Sequence, residues 1–209
     1  MAAGMNEADL VADLKASLFD TAGVFTGEDD ADFKRFLAQA LPDLQVKRPI
    51  TRLGEVQLVA GEALYPLAGL ADFSALKIDL WRDPAKLPKP WEPSYPGALP
   101  RLSAVWSGTE AALMFEPAPT AAHLALLGTV CRFWYFAVHV VGADALDTTV
   151  PATDRGLLLL RAQAEAMLAL AIRNAAKPVQ LRDGLSGTPR NSTPSALHRT
   201  LLDLFWEAR

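Results

Sequence analysis

DRGLLLLRAQAEAMLALAIRNAA, residues 154–176, is the longest stretch of the chain that reads as an uninterrupted helix. The stretch has few charges, it contains no glycine after Gly156, and it contains no proline, since the next one is Pro178. Nothing in the pattern therefore breaks a helix. Its apolar side chains form two adjacent stripes: Leu157, Leu160, Ala164, Met167 and Ala171, beside Leu158, Leu159, Ala162, Leu168 and Ile172. A helix that is apolar over so much of its girth needs neighbours on several sides. We expect it at the centre of a helical bundle, with part of its surface covered by a second copy of the chain.

The composition of the 209-residue chain indicates one folded core with a small inserted domain. Apolar residues make up 51% and charged residues 21%, which excludes a disordered chain. The net charge of -4 is unevenly spread. Residues 1–50 carry nine acids and five bases, whereas residues 177–209 carry five bases and three acids. An acidic front and a basic tail suit a contact between copies.

Cys131 is the single cysteine, so the chain forms no internal disulfide, and a reducing compartment is expected. It lies in an apolar run and is expected to be a buried small hydrophobe. The first residues lack the pattern of a secretory signal. The most apolar window, residues 118–141, contains His123, Arg132 and His139, which argues against a membrane span.

The first fifty residues predict a pair of antiparallel helices. Asn6 caps the first, whose apolar face holds Leu10, Val11, Leu14 and Leu18 until Gly23 interrupts it. The second follows an acidic turn and places Phe33, Phe36, Leu37, Ala40 and Leu41 at helical spacing. Pro42 is expected to end this helix or to leave a final irregular turn.

Beyond Pro49 the apolar period changes towards two, which is typical of strands. Short strands are predicted at 55–59, 63–67 and 76–80, and a hairpin at 102–115 turns at Gly108. The proline-rich crossing at 84–100 is expected to be an ordered loop or an edge, because prolines do not donate to a central ladder. The middle of the chain is therefore predicted as an antiparallel sheet or half-barrel of four to six strands.

A return to helix is predicted over residues 121–141, with Gly128 as a weak point. After the long helix, residues 177–192 have no sustained period and are expected to form an extended arm. Thr193 as cap and Pro194 at the first position predict a short terminal helix. The predicted fold is thus α+β: a bundle of about four helices with an inserted β domain and a C-terminal arm. Its segments are an N-terminal helical pair (1–50), the inserted β domain (51–117), a long helical hairpin that packs with residues 1–50 (118–176), and the C-terminal arm with its terminal helix (177–209).

No catalytic motif or set stands out in the sequence, and we expect no enzyme, cofactor or metal site. His123, His139 and His198 lack metal-ligand spacing with a carboxylate, and the acidic pairs at 29–30 and at 144 and 147 are typical of turns. Bases are scattered and the chain is acidic, so sequence-specific nucleic-acid binding is not expected.

Four stretches carry a resemblance to a known family: ADFKRFLAQALPDLQVKRP (31–49), LVAGEALYPL (58–67), ALMFEPAPTAAHLALLG (112–128) and VPATDRGLLLLRAQAEAMLALA (150–171). Their order of helix pair, small sheet and helix pair resembles the head-to-tail adaptor, or head completion, proteins of tailed bacteriophages. None of the stretches is a chemical motif, so the likeness is one of pattern over most of residues 28–176. The proline-rich crossing has no counterpart in this pattern.

The resemblance implies a structural protein of the virion neck that assembles in the host cytoplasm. A ring of copies, commonly twelve, joins the capsid portal to the stopper or tail, and DNA passes through its channel without sequence-specific binding. The C-terminal arm and helix would bind the portal. The portal-binding residues it implies are Arg182, Arg190, Leu197, Leu201, Leu204, Phe205 and Trp206.

Three alternatives remain open from the sequence. The terminal aromatic residues Phe205 and Trp206 either dock on the portal, which we expect, or fold back onto their own core. The chain is alternatively another neck component, such as a stopper or tail terminator. From a different class, it is a small-molecule-binding or enzymatic α+β domain, with Trp91, Tyr95 and Trp106 lining a pocket between sheet and helices.

Overall fold

The computed structural model describes residues 5–175 and 193–208, and this part of the chain forms five α-helices and six β-strands. The helices are α1 (Glu7–Leu18), α2 (Ala31–Lys47), α3 (Ala121–Leu127), α4 (Arg155–Ala175) and α5 (Pro194–Glu207). The strands are β1 (Ile50–Gln57), β2 (Leu64–Pro66), β3 (Phe73–Asp79), β4 (Arg101–Ser107), β5 (Glu110–Glu116) and β6 (Val130–Ala137). The expected α+β class is confirmed. The predicted arm at 177–192 lies outside the described residues.

Contacts divide the chain into two compact units, a helical unit (Met1–Arg48 with His139–Arg209) and a β unit (Pro49–Val138). The β unit is inserted between α2 and α4 and holds all six strands and α3. Residues 118–138 therefore belong with the strands, not with a helical hairpin.

The helical unit is built around α4, which packs against α1, α2 and α5. Polar contacts join α4 to each neighbour: Arg155 Nη2 to Asp13 at 2.5 Å, Arg161 Nε to Asp43 at 2.6 Å, and His198 Nδ1 to the Ala164 carbonyl at 2.8 Å. The core includes Leu10, Leu14, Phe33, Phe36, Ala40, Leu44, Leu158, Ala162, Ala166 and Leu170. The prediction that α4 needs neighbours on several sides is confirmed.

Both predicted N-terminal helices form, but the expected end of α2 at Pro42 is wrong. Asn6 Oδ1 accepts the Asp9 N–H at 2.7 Å and caps α1, as predicted. In α2 the helix continues through Pro42 to Lys47. Proline removes one helical hydrogen bond. The turns beyond it are held because Leu44 is fully buried and Asp43 binds Arg161.

The β unit contains two three-stranded antiparallel sheets, with orders β1-β6-β3 and β2-β5-β4. The predicted hairpin β4–β5 turns at Gly108, whose φ of +62° suits glycine. Both sheets contribute to one core: Leu58, Tyr65, Leu67, Phe73, Trp81, Leu113, Phe115, Cys131, Phe133, Tyr135 and Ala137. Gly54 on β1 permits this packing, because a Cβ there would lie 2.6 Å from the Phe133 ring.

The predicted helix over residues 121–141 is wrong. A short helix, α3, ends before Gly128, whose φ is +93°, and the chain then forms β6. The sequence of β6, VCRFWYFA, is rich in aromatic and β-branched residues, which favour a strand. Its side chains alternate between buried and solvent-facing positions, and both flanking strands pair with it.

The proline-rich crossing is a loop between β3 and β4, as expected. A short 3₁₀ turn occupies Pro84–Lys86. Two further turns follow, in which the Glu92 N–H donates to the Lys89 carbonyl at 2.9 Å and the Tyr95 N–H donates to the Glu92 carbonyl at 3.0 Å.

Candidate partner-binding surfaces

The terminal helix α5 begins as the sequence predicts. Thr193 Oγ1 accepts the Ala196 N–H at 3.2 Å, and Pro194 fills the first helical position. The cap fixes the residue at which α5 starts.

The aromatic end of α5 folds back onto the helical unit, so the expected docking of Phe205 on a portal is corrected. Phe205 is fully buried and stacks edge-to-face on Trp206 at 4.9 Å. Lys47 of α2 donates to the Trp206 carbonyl at 2.8 Å, and its ammonium lies 5.3 Å from the Phe205 ring. The physical reason lies in α4, whose apolar girth needs a third neighbour. Helix α5 is that neighbour, and Phe205 is buried beside Lys47 of α2.

Other predicted residues of α5 remain accessible. Leu197, Leu204 and Trp206 are 43%, 50% and 48% exposed, and Leu201 is half-buried. Leu197 and Leu204 are seven residues apart and therefore lie on one stripe of the helix. Arg182 and Arg190 lie outside the described residues.

An apolar groove of about 420 Å³ runs between α1 and α5, with α4 as its floor. We call it the α1–α5 groove, and it is lined by Ser17, Leu18, Phe19, Thr21, Gln163, Met167, Leu170, Pro194, Leu197 and Leu201. On its rim, Phe19 is 82% exposed and has a φ of +49°, a strained conformation for a bulky residue. The groove thus offers apolar surface that the described part of the chain leaves uncovered.

A second apolar surface lies on the outward face of the β1-β6-β3 sheet. Leu53 and Ile78 both pair with Trp134, so the three side chains form a row across three strands. They are 50%, 53% and 38% exposed. We call this row of Leu53, Trp134 and Ile78 the sheet face.

Charged groups border the sheet face on both sides of the row. Glu55 and Arg132 pair at 3.5 Å on one side. On the other, the Lys77 ammonium lies 5.4 Å from the Phe136 ring and 3.1 Å from Thr51 Oγ1. An apolar centre with a polar rim is the usual composition of a protein interface.

The sheet face does not follow from the sequence pattern when residues 121–141 are predicted as a helix. The signal that identifies the strand is the alternation of Cys131, Phe133 and Tyr135 with Val130, Arg132 and Trp134. Gly128 marks the point where the helical pattern ends.

Two titratable groups of the β-unit core, Cys131 and Tyr135, are buried and hold their protons more tightly than in water. Cys131 is fully buried, and burial raises the pKa of its thiol to about 12, with the nearby Asp79 carboxylate adding to the effect. Burial and the hydrogen bond from its hydroxyl to Asp72, 3.0 Å long, raise the pKa of Tyr135. A protonated, buried thiol is a poor nucleophile. This matches the expected role of Cys131 as a small hydrophobe.

The three histidines hold local structure together. His123 Nδ1 accepts the Thr120 N–H at 3.2 Å and completes the cap of α3. The His139 N–H donates to Gln45 Oε1 at 2.8 Å, and its Nε2 lies 2.7 Å from the Arg48 carbonyl, so both contacts hold the end of α2. Within residues 5–175 and 193–208, no group of three or more His, Cys, Asp or Glu side chains is arranged to hold a metal ion.

The aromatic residues of the alternative small-molecule pocket do not line the open cavity that the β unit contains. This cavity of about 600 Å³ is lined by Leu76, Lys77, Ile78, Asp79, Arg82, Leu99 and Leu102. Trp91 is 77% exposed under the Lys89 ammonium, and Trp106 packs against Phe73 with its ring 6.2 Å away.

Every helix in the described part of the chain is too short or too polar to cross a membrane. We compared the chain with family models, with curated proteins and with solved structures. No family model, no curated protein and no solved structure matches it.

Proposed function

We propose that the chain is a structural protein of a tailed-bacteriophage neck, an adaptor that joins the capsid portal to the stopper or tail. In this proposal a ring of copies, twelve by analogy with the family it resembles, continues the DNA channel. The chain acts by contact and not by catalysis. It belongs to the virion neck and assembles in the host cytoplasm.

The observation that carries the proposal is the apolar surface exposed on regular elements of each unit. In the β unit it is the Leu53–Trp134–Ile78 row, and in the helical unit it is the α1–α5 groove with the Leu197 and Leu204 stripe. Surfaces of this kind are typical of proteins that bind other proteins. An adaptor needs one surface for neighbouring copies and another for the rings on either side of it.

The arrangement of the units also supports an adaptor. The α1–α2 pair followed by an inserted β unit agrees with the first two parts of the order on which the family resemblance rests, whereas β6 and α4 stand in place of the second helix pair. The portal contact is now assigned to Leu197, Leu204 and Trp206, because Phe205 is buried.

Imaging of the phage particle that carries this chain tests the proposal. Electron cryomicroscopy of purified virions should show a ring beneath the portal into which the helical and β units fit. Each copy should be identified by side-chain density for Trp134 and Trp206. A neck whose rings are fully explained by other chains would exclude the adaptor function.

A further inference from the structure

Strand β1 has one edge that no strand pairs with in the described part of the chain. The β1-β6-β3 sheet ends at β1, so only one side of this strand is hydrogen-bonded. The strand runs for eight residues in unbroken register with β6, and it contains no proline. An edge of this kind offers a row of N–H and C=O groups to another strand.

The other three sheet edges each carry a feature that hinders pairing. Strand β2 is three residues long and ends with Pro66. The register of β3 with β6 shifts between Phe73 and Ala75 and again between Leu76 and Ile78. Strand β4 lies in contact with β3. Short strands, prolines, bulges and cover by a neighbour are the usual ways in which proteins protect sheet edges, and β1 has none of them.

The odd-numbered residues of β1 direct their main-chain groups to this free edge. The Leu58 N–H donates to the Thr129 carbonyl at 2.7 Å, one step beyond the last pair of the β1–β6 register. Main-chain groups alternate in direction along an antiparallel strand, so the even-numbered residues bond to β6. Thr51, Leu53 and Glu55 therefore point their N–H and C=O groups away from β6, where no described residue bonds to them. We call these three residues the β1 edge.

We propose that the β1 edge pairs with the β1 edge of a second copy, antiparallel and about a two-fold axis through Leu53. Leu53 then lies opposite Leu53 of the second copy, and Thr51 lies opposite its Glu55. Each facing pair exchanges two main-chain hydrogen bonds. In such strand addition the main-chain bonds supply the affinity, so the contact does not depend on a large buried area.

The side chains of β1 select this axis among those through the central residues 52–55. An axis through Arg52 places two guanidinium groups opposite each other, and an axis through Glu55 does the same with two carboxylates. Like charges directly opposite each other destabilise a sheet. An axis through Gly54 sets Leu53 against Glu55, an apolar side chain against a carboxylate. The axis through Leu53 avoids all three contacts.

The same axis brings matching side chains together on both faces. The sheet face ends at Leu53, and the axis continues it into the sheet face of the second copy. On the opposite face, the half-buried Ile50 meets Val56, which is also half-buried. Arg52 lies opposite Gly54, which has no side chain to block it. Facing side chains of this kind are the unit of sheet stabilisation.

Opposite charges also meet across the axis. Lys77 donates to Thr51 Oγ1 at 3.1 Å, so its ammonium lies beside Thr51. No carboxylate in the described part of the chain pairs with this ammonium. Glu55 faces Thr51 of the second copy and therefore reaches that copy's Lys77. A second copy thus supplies the counter-charge that Lys77 lacks, once on each side of the axis.

The pairing is a property of the β unit and goes beyond the proposed function. A two-fold contact uses the same patch on both copies and closes after two copies, whereas a ring needs two different patches. In the proposed adaptor, the dimer is therefore the form of the free chain, and it opens before the ring closes.

The first test is Leu53→Cys in the full chain under mild oxidation. Cα atoms of a hydrogen-bonded pair lie about 5.5 Å apart, which suits a disulfide. We expect a covalent dimer as the main product. The native Cys131 does not interfere, because it is buried and its thiol stays protonated at neutral pH.

The matched control is Ile78→Cys. Ile78 is 53% exposed on the same face as Leu53, which is 50% exposed, but it lies at the opposite edge of the sheet. In the dimer the two positions 78 are five strand spacings apart, about 24 Å. Ile78→Cys should therefore link at least roughly tenfold more slowly.

The second test is a charge swap, measured by sedimentation velocity of the reduced protein. Glu55→Lys places a like charge beside Lys77 of the second copy and should weaken the dimer at least roughly tenfold. Adding Lys77→Glu restores opposite charges and should recover most of the affinity. Both residues are exposed, so each variant should keep the unfolding temperature of wild type.

Three results would overturn the pairing. Wild-type protein that stays monomeric between micromolar and millimolar concentration means that the edge takes a strand of another protein, a segment of its own chain, or none. Equal linking of Leu53→Cys and Ile78→Cys means that copies meet through their sheet faces. A swap that recovers no affinity excludes the axis through Leu53.

The outcome is separate from that of the adaptor function. A free dimer of a chain that forms no ring in the virion keeps the pairing and refutes the function. A neck ring built from a chain that is monomeric when free does the reverse.

Discussion

The helix α4 and the strand β6 are the central elements of their units, yet they are covered to different extents. Three helices surround α4, and its residues Leu158, Ala162 and Ala166 are fully buried. Strand β6 lies between β1 and β3, but only one of its faces is covered. Cys131, Phe133, Tyr135 and Ala137 face the core, whereas Trp134 and Val130 face outward and are 38% and 41% exposed. In the described part of the chain, the central helix of the helical unit is covered by its neighbours, whereas one face of the central strand of the β unit is exposed.

The largest expected effect on stability comes from alanine substitutions at adjacent residues 133 and 134, which lie on opposite faces of β6. Phe133→Ala removes a fully buried ring and should lower the free energy of unfolding by about 4 kcal/mol, through lost burial and the cavity left behind. Trp134→Ala should cost about 1 kcal/mol, because its ring is already partly in water. Urea unfolding followed by tryptophan fluorescence of the β unit measures both. Equal losses would mean that both faces of β6 are covered.

The next effect tests whether α5 belongs to the covering of α4. Phe205→Ala should cost about 3 kcal/mol, since the ring is fully buried in the helical unit. Leu204→Ala, on the half-exposed neighbour, is the control and should cost less than about 1 kcal/mol. Thermal unfolding followed by circular dichroism compares the two. A Phe205→Ala variant as stable as wild type would restore the portal-docking assignment of this ring.

Breaking an ion pair should have a smaller effect on stability, and the effect should differ between α4 and β6. Arg161 on α4 is 8% exposed and binds Asp43 at 2.6 Å and Glu165 at 2.5 Å. Arg161→Ala leaves two carboxylates without their cation and should cost about 2 kcal/mol, reduced from the usual value because Asp43 is partly in water. Arg132→Ala on β6 breaks an exposed pair and should leave stability unchanged. A loss as large for Arg132 as for Arg161 would contradict the difference in cover.

Sequence patterns predicted the helical unit well because its signals are local and additive. In α4 the residues are mostly strong helix formers, and no glycine or proline follows Gly156 within the helix. The cap at Asn6 and the start at Thr193 and Pro194 are also local, and each was confirmed. Pro42 was misjudged because tertiary contacts of Leu44 and Asp43 outweigh one lost hydrogen bond.

The candidate surfaces could not be predicted from local sequence patterns, because they depend on which strands and helices meet in the fold. Trp134 is apolar whether residues 130–137 form a buried helix or the middle strand of a sheet. Its exposure is decided by pairing with Leu53 and Ile78, which lie more than fifty residues earlier in the chain. The same holds for Phe205, whose burial depends on Lys47 and α4. Helix α5 was therefore predicted as an element, but the face it buries was not.

The buried thiol of β6 gives a prediction about pH. Its pKa is about 12 in the folded protein and 9.0 when exposed. Between these values the unfolded chain ionises first, so the stabilisation is complete below pH 9 and declines as the pH rises. The expected slope is about 1.4 kcal/mol per pH unit above pH 9. Cys131→Ala is the control. Titration of tyrosine and lysine changes the stability of both proteins alike, so the difference between their two slopes of stability against pH reports the thiol alone. Parallel curves between pH 9 and pH 10.5 would show that the thiol is not buried.

The smallest expected change in stability concerns the open side of β6, where the functional effect should be large. Replacing Leu53 and Ile78 with lysine puts charge on the sheet face, yet both side chains are about half exposed, so the unfolding free energy should change by less than about 1 kcal/mol. If the chain is the proposed neck adaptor, the variant should nevertheless fail to enter assembled virions, because a partner would have to cover two unpaired charges. Val46→Lys, at a 71% exposed position on α2, adds the same charge away from the sheet face and should assemble normally. Normal incorporation of the double variant would mean that the open face of β6 is left to solvent, and the neck partners would then have to bind the helical unit.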